Sequence, residues 1–241
     1  MAETARPIAD ETPKAEPPRA SREQGSAQPR FLGLSPRQLA GLGAVVLAVN
    51  LPFLVYLTRG QAPVAAAVPF QDDFQRAEVG SAYWSTGGHW RIENGALLSP
   101  GVKNNPLWLK AALPADVAVE FDARGESSDG DIKCEIFGNG YDHASGYVIV
   151  FGGWSNSISV IARLDEHGRD RKESRAFKVE KGRTYHFRIE RKGSVLRWLL
   201  DGQLVMEYDD PSPLRGRGHD RFGLSSWEST VFFDNLKVVP L

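Results

Sequence analysis

The sequence predicts an all-β antiparallel β-sandwich preceded by one transmembrane helix and a disordered N-terminal tail. Three observations carry that reading. Residues 39–58, LAGLGAVVLAVNLPFLVYLT, contain no Asp, Glu, Lys, Arg or His. From Phe70 to Leu241 the apolar residues alternate in short runs broken by Asn-Gly, Asp-Gly and glycine-rich segments. No part of that region shows the period of a long amphipathic helix.

Residues 1–37 form the tail. Pro7, Pro13, Pro17, Pro18 and Pro29 lie among charged and small residues, too polar to bury a core. Residues 38–58 are the helix, since about twenty residues at ~1.5 Å rise cross a hydrocarbon layer of roughly 30 Å. Inside it, Pro52 removes a backbone donor and kinks the helix, while Asn50 bonds a neighbouring carbonyl or a partner helix. Arg19, Arg22, Arg30 and Arg37 precede the run, whereas only Arg59 follows it before Arg76. That bias keeps the N-terminus cytoplasmic and the C-terminal domain periplasmic or extracellular, with a bacterial inner membrane as the setting. A cleaved signal sequence, processed near Ala67 in APVAAAVPF, is the rival reading, against which stand the long leader and the long apolar run. A buried helix of a soluble protein is the third. Residues 59–68 are a short linker, and 69–241 are the exported domain.

Within that domain Trp90–Glu93, Asn94-Gly95 and Ala96–Leu98 read as a hairpin. Val117, Val119, Phe121 and Ala123 share one face of a strand whose other face holds Ala118, Glu120, Asp122 and Arg124. Ile132, Cys134 and Ile136 alternate in the same way with Asp131, Lys133 and Glu135. Further strands follow in GYVIVFG, NSISVIAR, RTYHFRIER, SVLRWLL, QLVMEY, RFGLSS and TVFFDNLKVV, with Asp201-Gly202 turning between the fourth and fifth of these. An antiparallel sandwich of roughly 170 residues accommodates them. The 29 basic and 30 acidic residues leave a net charge of −1, and no basic stripe or reading helix points to nucleic acid. Cys134 is the single cysteine, which excludes an intrachain disulfide and fits a buried thiol.

At the two ends of this region the residues resemble a known superfamily. RTYHFRIERKGSVLRWLLDGQLVMEYDDPSPL followed by RFGLSSWESTVFFDNLKV is similar to the late strands of the concanavalin A-like lectin/glucanase jelly roll. DDFQRAEVGSAYWSTGGHWRIENGALLS is similar to its first strands. The resemblance spans about Phe70 to Leu241 and implies a glycan-associated domain of LamG-like type. It does not choose between binding, catalysis and a structural role. The acidic pattern of related glucanases, E-x-D-x-x-E, has no match here, because Asp131 and Glu135 in DIKCEI stand at another spacing. Another branch of similar jelly rolls acts on keto-glycosides. No cofactor is required, although structural calcium occurs in similar folds, and Asp72, Asp73 and Asp234 are the carboxylates that would hold it.

Trp154 leads the candidates for ligand contact, because the glycine-rich break FGGWSNS displays a ring without using a core position. Loop packing is the alternative role. Tyr141, Asp142 and His143 in GNGYDHASG, with Asn156 nearby, form a second group; Trp84, Trp90 and Trp227 sit in turn-rich settings that suit a site rim or packing at strand ends. If the domain is an enzyme, Asp131 and Glu135 are the acid–base pair; otherwise they belong to a solvated sheet face. The five histidines are scattered without zinc spacing, and no nucleophile elbow accompanies a serine. The expected partners are an envelope or extracellular glycan, the lipid bilayer through residues 38–58, and a membrane or envelope protein. The leading expectation is a membrane-tethered glycan-binding domain. A membrane-anchored glycoside-processing enzyme and a structural interaction module are the alternatives.

Overall fold

A computed structural model describes residues 33–58 and 64–241. The tail expected over residues 1–37 lies outside the described residues as far as residue 32, as does the first half of the expected linker, 59–63. The chain divides into two units, Met1–Arg59 and Gly60–Leu241.

In the first unit, helix α1 spans Pro36–Thr58. Its start is written in the sequence: Ser35 N donates to Gln38 Oε1 and Gln38 N to Ser35 Oγ, a reciprocal cap, with Pro36 in the first helical position. Pro36–Val55 has a mean hydropathy of 1.9, long and apolar enough to cross a membrane, a test that a signal sequence also passes. Asn50 Nδ2 donates to Val46 O at 2.7 Å, so its amide bonds within its own helix.

The second unit is built from β1 (Phe70–Asp72), β2 (Tyr83–Ser85), β3 (Arg91–Glu93), β4 (Ala96–Pro100), β5 (Leu107–Leu109), β6 (Val117–Gly125), β7 (Ile132–Gly138), β8 (Tyr147–Gly152), β9 (Ile158–Arg163), β10 (Lys172–Ser174), β11 (Thr184–Lys192), β12 (Val195–Leu200), β13 (Gln203–Asp209), β14 (Arg221–Ser226) and β15 (Thr230–Pro240). One sheet runs β13-β12-β11-β6-β15-β4-β3, with β1 also on β15; the other runs β10-β9-β8-β7-β14-β5-β2. Asn94-Gly95 and Asp201-Gly202 both hold positive φ, as the tight hairpins require. The inward faces interdigitate. Phe121 stacks on Phe187 at 4.7 Å, Phe151 meets Trp198 edge-on at 6.0 Å, and Cys134 is buried among them.

Two expectations need correction. Residues 65–68 are not free linker: the amides of Ala65 and Ala66 donate to Lys110 O at 2.8 and 3.2 Å, and Ala66 and Val68 pack on the core. Nor is the outer face of β7 solvated, because Lys133 is 4% exposed and Glu135 0%. The cause is a second apolar layer. Val148 and Val150 lie directly across from Glu135 and Lys133, and with Ile158, Val160 and Ala162 they form a cluster against which Ala144 and Trp154 pack. Loops after β7 and β9 supply the groups that contact the two charged residues.

Candidate functional site

The site grows from two strained backbone segments locked together where β7 begins and β8 ends. Gly130 and Asp131 hold φ of 77° and 67°. A Cβ on Gly130 would stand 2.2 Å from Gly152 O, so only glycine allows this approach, and Asp131 N donates to that same oxygen at 3.0 Å. From Gly152 the chain makes a left-handed turn through Trp154 (φ 51°, ψ 60°), Ser155 (φ 56°, ψ 48°) and Asn156 (φ 58°). Each such residue costs about 1–2 kcal/mol, and the turn stands because Asn156 ties it down. The Asn156 amide donates to Ser128 O and Val179 O at 2.9 and 2.8 Å and accepts from Val179 N at 2.9 Å.

Between these segments and the turn after β14 opens a cleft of about 570 Å³. Five residues on its wall hold positive φ: Asn104, Asp131, Trp154, Ser155 and Glu228. Backbone strain of this kind gathers at binding and catalytic sites, where it fixes geometry in advance. Trp154 and Trp227 supply aromatic wall. Arg171 lies 4.7 Å over the Trp154 ring, His167 meets it edge-on at 5.5 Å, and Lys133 Nζ lies 5.7 Å from the Trp227 ring.

Beneath the cleft runs a charged chain. Lys133 Nζ contacts Asn104 Oδ1 and Glu166 Oε2, both at 3.1 Å, and pairs with Asp131 Oδ1 at 3.2 Å. The last is an ion pair, and that oxygen is itself buried; against the burial that raises it, Lys133 and the backbone of Trp227 lower the Asp131 carboxyl. His143 Nδ1 lies 2.5 Å from Glu135 Oε1, and its Nε2 lies 3.4 Å from Glu166 Oε2. Burial raises the Asp131 carboxyl to about 6, although Lys133 pulls the other way. Burial by itself would lower His143, but Glu135 and Glu166 outweigh it and hold the imidazole up at about 9. Glu166 is held down at about 2, where His143 and Lys133 overcome its own burial. Glu135 Oε2, Ser225 Oγ and Trp108 Nε1, on the same outer face, are buried without a protein partner and leave polar capacity for ligand or solvent.

Of the residues expected from the sequence, Asp131, Trp154 and Trp227 line the cleft, while Glu135 and His143 lie under it. Asn156 is a strut with its amide fully engaged. Tyr141 packs edge-on against Trp84 at 5.9 Å, and Asp142 accepts from Asn139; neither lines the cleft. Trp90 packs near Phe233 and donates to Asn105 O, and does not line the cleft. Asp72 is committed to Arg76, Tyr83 and Phe74 N, and Asp73 and Asp234 accept from nearby amides. Burial, then Asp122, Asp73 and Asp72, push the Asp234 carboxyl up, so these acids lie within electrostatic reach of one another, while among the described residues no group of three or more His, Cys, Asp or Glu side chains is arranged to hold a metal. Sequence reasoning missed Asn104, Ser155, Glu166 and Glu228. The one available signal was Lys133 itself, a cation between two acids on a strand whose other side is apolar.

Two antiparallel sheets with a cleft on the outer face of one define a concanavalin A-like jelly roll of the lectin/glucanase kind. The chain belongs to the family of the 3-keto-alpha-glucoside-1,2-lyase-like domain, whose model matches residues 77–239. Among solved structures it is similar to the carbohydrate-binding module CBM66 from Bacillus subtilis, with 17% identity and a TM-score of 0.56 over 67% of this chain and 98% of that one. A Bacillus licheniformis β-glucanase is similar with 9% identity and a TM-score of 0.53, over 71% and 98%. A lichenase from a mouse hindgut metagenome gives 12% and 0.51, over 71% and 99%. These likenesses are of fold. No curated protein matches the chain.

Proposed function

We propose that the cleft between Trp154 and Trp227 binds a glycoside and that Asp131 acts on it as a proton acceptor. The observation that carries this reading is the preset wall: five cleft residues held at positive φ, one of them Asp131, whose carboxyl burial raises to about 6. Aromatic rings suit the apolar faces of a sugar, while Asp131, Glu166 and Asn104 suit its hydroxyls. The family's description and the carbohydrate-binding module among its structural neighbours support the same class of ligand.

Catalysis is favoured over binding alone by the raised Asp131 carboxyl, which is poised to accept a proton near neutrality. A 3-keto group acidifies the neighbouring C2–H. Asp131 takes that proton, the electron pair forms the C1=C2 double bond, and the C1–O bond breaks with the electrons leaving on the aglycone oxygen, which takes a proton from solvent. The product is a conjugated enone. Helix α1 supports a tether that holds the domain on the outer side of a membrane, N-terminus inside.

The full chain in detergent micelles, titrated with methyl 3-keto-α-D-glucopyranoside, should show quenching of tryptophan fluorescence. Replacing Trp154 by Ala should weaken binding by about tenfold or more without loss of the folding transition. Asp131→Asn should keep binding and abolish the rise in enone absorbance. Equal affinity in the Trp154 variant, or continued enone formation without Asp131, overturns the corresponding half of the proposal.

A further inference from the structure

The β9–β10 loop brings Glu166 and His167 to the cleft, and its own bonds are few. Leu164 N donates to Gly146 O at 2.9 Å, Gly168 N to Asp165 O at 3.0 Å, and Arg171 Nη1 to Glu166 O at 2.7 Å. At the cleft the loop is held by the Glu166 carboxylate, which meets Lys133 from β7 and His143 from the β7–β8 loop; farther along, Asp170 accepts from Tyr208 Oη at 3.5 Å and Arg171 pairs with Glu173 of β10. On the far side of His143 stands Glu135, fully buried, with one oxygen on the imidazole and the other without a protein donor.

We propose that His143 is a positioning residue of the cleft: as an imidazolium wedged between Glu135 of the sheet and Glu166 of the loop, it seats the loop whose His167 and Arg171 brace Trp154. Its part in sugar binding rests on the reading of the cleft given above; the seating itself does not. The charged groups that face His143 are Glu135 on β7 and Glu166 on the loop, with Lys133 sharing Glu166 from below. Asp142, beside it in sequence, is turned to Asn139. Loss of the proton from His143 leaves the Glu135 and Glu166 carboxylates facing a neutral ring, and buried charge that loses its partner is costly. The seat therefore holds while the imidazole is charged and loosens as pH rises through about 9.

Hydrogen exchange of the full chain in micelles, corrected for intrinsic rates, tests this. In the unaltered protein, protection of residues 164–171 should fall by about tenfold between about pH 8 and pH 10, while β8 stays protected. His143→Gln keeps a hydrogen-bonding side chain but not the charge, and should show the loosened loop at every pH with no inflection. His143→Lys, which keeps the charge to higher pH, should move the inflection upward. Protection in His143→Gln equal to that of the unaltered protein, or a loop that ignores pH in the unaltered protein, overturns the seat. The second measurement requires no variant to fold. In the same samples, affinity for methyl 3-keto-α-D-glucopyranoside should fall about tenfold when the loop is released. A released loop with unchanged affinity leaves the seat standing and overturns the sugar-binding reading of the cleft.

Discussion

Asp131 pays for its position in two ways, through a left-handed backbone and through burial that resists ionisation. Its folded pKa of about 6 lies above the ordinary carboxylate value, so its contribution to stability is complete below the unfolded pKa and is lost as pH rises through about 6. Asp131→Asn should consequently stabilise the fold at pH 8, by roughly 1–3 kcal/mol, and give little gain at pH 4. Thermal melts at the two pH values check this; an equal gain at both would mean that charge is not the cause. His143 carries the same sign to a different window. Its contribution is whole below about 6.5 and disappears as pH rises through about 9, whereas that of Glu166 is present above about 4.5 and disappears as pH falls through about 2. The loss for His143 amounts to roughly 3 kcal/mol, seen as a falling denaturation midpoint between about pH 7 and pH 10.

The left-handed turn after β8 is the element that makes the cleft, and its conformation is imposed from a distance. Ser155→Gly relieves a positive φ and should leave stability unchanged or raise it by up to about 1 kcal/mol. Asn156→Ala removes three hydrogen bonds that hold the turn and should cost about 2–4 kcal/mol, read by chemical denaturation. If the two variants were equally stable, the strut would have no role. The glycines of FGGWSNS announced a break that displays Trp154, but neither Trp nor Ser prefers positive φ. What forces them there is the bonding of Asn156 to residues 128 and 179, which local sequence does not reveal. β7 shows the same limit. Alternation of Ile132, Cys134 and Ile136 with Lys133 and Glu135 identified the two faces of the strand. It could not tell that Val148 and Val150 extend the outer face as an apolar layer, or that loops bring Glu166 and His143 onto it.

At the scale of the molecule, the charge states of the cleft define a working range. On the proposed mechanism Asp131 loses its proton above about pH 6 and His143 keeps its own below about pH 9, so any turnover of a 3-keto-glucoside should follow a bell between those limits. His143→Gln should flatten the alkaline limb alone; a change in the acidic limb instead would reverse the assignment. The two-sheet architecture was legible in the sequence because strand alternation and hairpin turns are local signals, and so was an apolar helix ahead of it. Docking of residues 65–68 was not, because Ala and Val in APVAAAVP carry no mark of the Lys110 carbonyl they meet.

That docking has a mechanical consequence. Ala65 and Ala66 meet the sandwich beside Lys110, just past β5, at the end where β6 starts, whereas Asn104 and Asp131 belong to the end where β6 stops. Nine residues of β6 separate the two ends, about 26 Å at ~3.3 Å per residue. A pull arriving from ahead of residue 64 meets first the Ala65 and Ala66 bonds to Lys110 and then the bonds of β1 to β15 at Phe70–Asp72. The Trp154 turn sits at the other end of the strands, so tension on the chain ahead of the domain is borne before it reaches the cleft.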